Sequence, residues 1–151
     1  MSEIFCAAQK SGKQVILQMG AFKYIKASFE KSYKTRSEEY RKRLQAWKKQ
    51  SPVVRIENPT NPGRARELGY KATKDYIVIR VRTKRGRVKR PRPDLGRKPA
   101  KNRLRENPGK PWSWTAEKKA QRFHPNMRVV NSYWIGEDGV AQYFEIIMKT
   151  R

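Results

Sequence analysis

Residues 75–93 read DYIVIRVRTKRGRVKRPRP. The stretch holds eight Lys or Arg residues and, after Asp75, no acid until Asp94. Ile77, Ile79 and Val81 alternate with Val78, Arg80 and Arg82, and a period of two is the signature of a strand with one face on a core and one turned outward. The outward face therefore becomes cationic towards its end. Beyond Thr83 the alternation is lost, and Gly86, Pro91 and Pro93 argue against regular structure. The segment reads as a strand running out into a basic arm. It calls for a sheet on one side and an external polyanion on the other.

The whole chain repeats that demand. It has 151 residues, one domain's worth, with 37 Lys or Arg against 13 Asp or Glu and a formal net charge of +24, far beyond the few charges that solubility needs. From Tyr76 to Arg105 there are 13 basic residues and one acid, so about half the excess sits in about a fifth of the chain. Localised charge of one sign is an electrostatic footprint. No run of 18 apolar residues exists, which excludes a membrane span. The first 17 residues, MSEIFCAAQKSGKQVIL, interrupt their apolar residues with Gln9, Lys10, Lys13 and Gln14 and lack a secretory cleavage pattern. A single cysteine, Cys6, allows no internal disulfide and fits a reducing cytoplasm. Hydrophobic residues make up 36% of the chain and charged residues 33%, with four Trp, seven Tyr and five Phe, enough apolar and aromatic material for a modest core.

Working outward towards the N-terminus, Phe22, Ile25, Phe29, Tyr33, Tyr40, Leu44 and Trp47 recur at helical spacing. Thr35 followed by Glu38 is a capping-box pattern that divides the run into two helices. Val53–Ile56 reads as a short strand ended by Asn58, Pro59 and Pro62, and GRARELGY as a short helix stopped by Gly69. Towards the C-terminus, RKPAKNRLRENPGKPW reads as a flexible loop in the absence of a partner. Thr115 is positioned to cap a helix that runs to about Phe123, beyond which Pro125 prevents continuation. The tail is a hairpin: two β-rich runs flank GEDG, where Gly136 and Gly139 are expected to supply the backbone angles of a tight reversal. The predicted fold is α+β, a small, mostly antiparallel sheet in the chain order β-α-β-α-β-β behind a helical N-terminal arm. The expected division is an extension over residues 1–18, a helical arm over 19–51, and an α+β domain over 52–151 with a basic loop at 84–112.

Catalytic chemistry finds no foothold in the pattern. GEDG matches the glycine spacing of an RNA-backbone clamp, but Glu137 and Asp138 would repel phosphate, and a plain turn is the better reading. His124 and Cys6 stand at opposite ends of the chain, which excludes a zinc site or a Cys-His pair. Asp75, Glu137, Asp138 and Glu145 are the acids a metal-dependent nuclease would need to converge, and Asp75 and Glu137 read as strand-end residues. No phosphate-binding or dinucleotide glycine motif occurs. No cofactor or small-molecule substrate is expected. Trp112 and Trp114, beside basic residues, could stack unpaired bases or pack on the sheet, with packing the better reading for Trp114. On composition alone, an RNA-binding structural protein and a DNA-compacting chromatin-like protein both remain open.

Four blocks decide between them. MGAFKYI at Met19, NPGRARELGYKAT at Asn61, YIVIRVRTKRGRVKRP at Tyr76, and VVNSYWIGEDG with YFEII at Val129 resemble the archaeal and eukaryotic large-ribosomal-subunit protein fifteen-e family, distinct from the bacterial-type protein fifteen. The resemblance implies a structural protein, present in one copy per ribosome, that binds large-subunit ribosomal RNA beside neighbouring ribosomal proteins and catalyses nothing. It implies RNA-facing roles for Lys23, Tyr24, Arg64 and Lys71, for Arg80, Arg82, Lys84, Arg85, Arg87, Lys89 and Arg90 along the strand and arm, and for Asn131, Tyr133 and Trp134. The basic loop adds Arg92, Arg97, Lys98 and Lys101 as candidates. Family members begin near Met19 and continue past the hairpin with a further basic, Gly-rich tail, whereas this sequence carries 18 residues before Met19 and stops at Arg151.

Overall fold

The computed structural model describes residues 20–86, 88–89, 105–106 and 109–151. In chain order its elements are α1 (Ala21–Lys34), α2 (Glu38–Lys49), β1 (Val53–Ile56), α3 (Pro62–Glu67), β2 (Tyr76–Lys84), β3 (Val88–Lys89), β4 (Arg105–Glu106), α4 (Trp112–Phe123), β5 (Met127–Glu137) and β6 (Ala141–Thr150). Four strands form one antiparallel sheet in the order β1-β2-β6-β5, and β3 pairs with β4 in a separate two-residue ladder. The architecture is the expected α+β class. The opening strand, β2, lies inside the sheet between β1 and β6. Such a position needs apolar residues in a continuous run rather than a strict alternation, because both faces are covered.

On one face Ile77, Ile79 and Val81 of β2 meet Phe144, Ile146 and Met148 of β6 beneath Ala116 and Ala120 of α4. The two alanines let the helix sit close on the strands. Each fully buried Ile here contributes roughly 1.5–3 kcal/mol through water exclusion. On the other face Tyr40, Leu44 and Trp47 of α2 and Ala65 of α3 cover Tyr133 and Ile135 of β5 and Tyr143 and Ile147 of β6. The second face was expected to look outward, and this is corrected: Val78 is 1% exposed. The helical run ahead of β1 is not a free arm along its whole length. Residues 38–49 place Tyr40, Leu44 and Trp47 in the core on that face.

Local signals account for most boundaries and mislead at four. The two helical runs separate as expected, but Ser37 caps α2 by accepting from the Tyr40 amide, while the Thr35 hydroxyl donates back to the Lys31 carbonyl. Arg36, at φ 48°, makes the left-handed step between the helices. Pro111 precedes the first turn of α4, so Thr115 lies inside that helix rather than at its cap. Gly136 and Gly139 do not have positive φ. The turn is held instead by Asp138, whose Oδ1 accepts from the Val140 and Ala141 amides at 2.7 and 2.6 Å. Gly136 follows a bulge in β5, and a Cβ there would lie 3.0 Å from Tyr40 Oη and 3.3 Å from Trp47 Cζ3. Its hydrogen is required by the seating of α2. Gly69, at φ 96°, ends α3 as expected. Finally, the basic arm is not wholly irregular, since Val88 pairs with Glu106 and Lys89 with Arg105.

Candidate nucleic-acid interface

The β2–β6 register places Arg80 opposite Glu145, Arg82 opposite Tyr143 and Lys84 opposite Ala141. The guanidinium of Arg80 is half-buried over the Trp47 ring, 4.8 Å from its centroid, and donates to Gln50 Oε1 at 2.6 Å. Burial lowers its pKa against the pull of Glu145. Arg82 donates to the Lys48 carbonyl at 2.9 Å. These two arginines therefore close the C-terminal end of α2 onto the sheet. Lys84, one pleat further on, is exposed and has no ion pair among the described residues.

Lys119 of α4 completes a cationic cluster that the sequence reading missed. Its ammonium donates to the Arg82 carbonyl at 3.1 Å. Its pKa is lowered first by desolvation and then by the charges of Arg82 and Lys84. Three cations thus converge where β2 leaves the cover of the helices, and the neutral carbonyls that hold two of them do not cancel their charge. Arg85 differs, because its guanidinium lies 3.7 Å from Glu137 and donates to the Asp138 carbonyl. The Asp138 carboxyl is itself beside Lys48 at 3.3 Å. Its burial pulls the pKa up, but the amides of Ala141 and Val140 and the Lys48 ammonium outweigh this and hold it below the usual range. The hairpin acids are spent inside the protein, leaving the end of β2 positive.

The remaining candidates separate into groups. Lys23 and the 75% exposed Tyr24 lie on α1. Tyr24 lines a groove of about 440 Å³ with Ile25, Phe29, Arg43 and Thr60. Arg64 is exposed on α3 and ion-paired with Glu67 at 2.7 Å. α1 reaches α3 through Phe22, which lies against Gly63 and under the Arg66 guanidinium. Lys71 is exposed in the loop after α3, and Asn131 is exposed on β5. Lys89 contributes its backbone to the β3–β4 ladder. Arg87, Arg90, Arg92, Arg97, Lys98, Lys101 and the 1–18 extension lie outside the described residues.

Tyr133 is a core residue, 5% exposed, and its hydroxyl donates to Glu145. Burial and that carboxylate raise its pKa. It has no surface to offer RNA, a correction that follows from its facing α2 across the sheet. Trp134 is half-buried and edge-on to Tyr33, with ring centroids 4.6 Å apart. Glu145 is fully buried and accepts from the Thr60 amide and hydroxyl and from Tyr133. It locks the loop before α3 to the sheet, a structural use for an acid that sequence alone left as a possible metal ligand. Among the described residues no group of three or more acidic, His or Cys side chains is placed to hold a metal, and no helix is long and apolar enough to cross a membrane.

The geometry is that of a charged platform on a small sheet, with cations concentrated where its central strand emerges. The model of the family described as Ribosomal L15 matches residues 20–150, all but the first nineteen residues and the last one. That span takes in every helix and strand of the described residues, and the chain belongs to this family of structural proteins of the large ribosomal subunit.

Proposed function

We propose that this protein binds and stabilises folded large-subunit ribosomal RNA through the outer end of β2 and the basic arm that follows it. The observation that carries the reading is the convergence of Arg82, Lys84 and Lys119 at the point where the strand leaves its helical cover. Like charges held together raise the free energy of the isolated protein, and phosphates arriving between them relieve it. Lys84, Arg87, Lys89, Arg90 and Arg92 are assigned to phosphate contact, with Arg97, Lys98 and Lys101 extending the track. Lys23, Tyr24, Arg64, Lys71 and Asn131 provide secondary contacts on exposed surfaces. Arg80 and Arg82 act mainly by holding α2 and the strand in place. Arginine suits the arm because its planar fork matches phosphate bidentately.

Each neutralised phosphate releases counterions, so binding is strongly salt-dependent and carries little sequence readout. The protein acts in one copy within cytoplasmic ribosomes beside neighbouring ribosomal proteins, and it turns over no substrate. Co-sedimentation tests the reading: at moderate salt the protein travels with large subunits. Recovery chiefly with chromosomal DNA would support the compaction alternative instead, and cleavage of RNA on addition of magnesium or manganese would contradict the structural role.

A further inference from the structure

A row of exposed side chains runs along α4. Residues two apart on a helix point about 200° away from each other, and Trp112 and Trp114 divide accordingly. Trp112 packs against the aliphatic core cluster, whereas Trp114 is 38% exposed. Trp114 therefore does not take the packed position expected for it. Around its ring stand two ammonium groups: Lys110 Nζ lies 3.9 Å and Lys118 Nζ 5.6 Å from the centroid. Residues at i and i+4 share a helix face, so Lys118 and Arg122, both exposed, continue the row from Trp114. On the far side of the helix, Lys119 is committed to the Arg82 carbonyl.

A large aromatic ring left open at the surface, with cations on and beside it, has the two components of a single-strand binding platform. The ring supplies a π-face, and the ammonium groups supply partners for the backbone of the same nucleotide. A lysine resting on an exposed ring is weakly held, and a stacked base gains more than that contact provides. The incoming base therefore displaces the ammonium, which then meets the phosphate beside it. We propose that Trp114 is a stacking site for one unpaired RNA base, with Lys110, Lys118 and Arg122 holding the flanking phosphates. The site rests on the RNA-binding reading above but uses a different element and a different kind of contact. The arm neutralises charge without regard to pairing, whereas this site selects a base that has left its helix.

The test uses the full chain and two probes, a short single-stranded oligoadenylate and a fully paired RNA duplex, measured at the same salt. Trp114→Ala should weaken binding to the single strand about 5- to 150-fold, the range for the loss of one stacked base. Duplex affinity should stay within twofold, and Trp114→Phe should retain most of the single-strand affinity. An abasic oligonucleotide of equal length should bind wild type and Trp114→Ala alike. Equal losses on both probes, or unchanged single-strand affinity, would overturn the stacking site while leaving salt-dependent binding by the arm standing. If wild type binds neither probe, both readings fail.

Discussion

The inner part of β2 and the stretch that follows it both carry cations, but only the inner part is enclosed by helices. From Ile77 to Val81 the strand is pressed between α4 on one face and the α2 side on the other, and even its arginine at position 80 is drawn over Trp47. From Arg82 to Gly86 the cover thins, the exposed residues are Lys84, Arg85 and Gly86, and a cation from α4 joins rather than an acid. A charged residue's role is thus decided by where the covering helices end. Arg80 and Arg82 are used inside the protein, Lys84 is exposed with no ion pair among the described residues, and Arg85 is divided between the hairpin and the solvent.

Damage to the inner half should unsettle the fold and leave binding untouched. Ile79 is fully buried and lies opposite Ile146. Ile79→Ala should cost about 2–5 kcal/mol of stability through lost transfer energy and a cavity. Measured at a temperature where the variant remains folded, its affinity for RNA should be unchanged. A matching loss of affinity would mean that the halves are not separable.

A second test uses the buried acid opposite Arg80. Burial raises the Glu145 pKa above its ordinary value of 4.5, against the hydrogen bonds from Thr60 and Tyr133 and the charge of Arg80. The folded protein therefore holds this proton more tightly than the unfolded chain. The stability linked to it is complete below the unfolded pKa and is lost as pH rises through the folded one. Denaturant titrations upward from pH 4.5 should show this decline, with a slope of at most about 1.4 kcal/mol per pH unit for one proton. Glu145→Gln should flatten it. Asp138, lowered instead of raised, contributes stability that is lost only as pH falls through its depressed pKa, so the two groups act in different windows. A slope that persists in Glu145→Gln would remove this residue from the account.

Smaller still is the expected cost of Arg80→Ala, about 1 kcal/mol from the lost contact with the Trp47 ring and the hydrogen bond to Gln50. Its salt slope for RNA binding should match wild type. A flatter slope would move the boundary between the halves inward by one pleat.

Much of this organisation was legible from local patterns. The strand at Val53–Ile56, the Gly69 stop and the helix ending at Phe123 follow from periodicity and from residues that forbid continuation. What stayed hidden depends on contacts distant in sequence. Val78 is apolar, but nothing near it in sequence says that its face of the sheet will be closed to solvent. Gly136 resembles a turn glycine until Tyr40 and Trp47 are brought against it. Glu145 resembles a surface or catalytic acid until Thr60 and Tyr133 close on it. The charge of the interface was visible as composition, but Lys119 was not, because on its own helix it is one cation in a solvated run. Only the packing of α4 on β2 makes it part of the cluster.

Phosphate contact by the arm shows in the salt dependence of binding. A large-subunit ribosomal RNA fragment should be titrated with wild type and with the triple variant Lys84→Gln, Arg87→Gln, Arg90→Gln across a range of salt concentrations. If these side chains contact phosphates, the slope of log affinity against log salt should flatten by about 2 to 3, at roughly 0.7–0.9 per contact. Stability should hold or rise slightly as like-charge repulsion is relieved. Adding Arg85→Gln should change the slope by less than any of the three, because Arg85 already faces Glu137. A folded triple variant with the wild-type slope would contradict the phosphate-contact reading, and so would a triple variant that unfolds, since these side chains would then be structural.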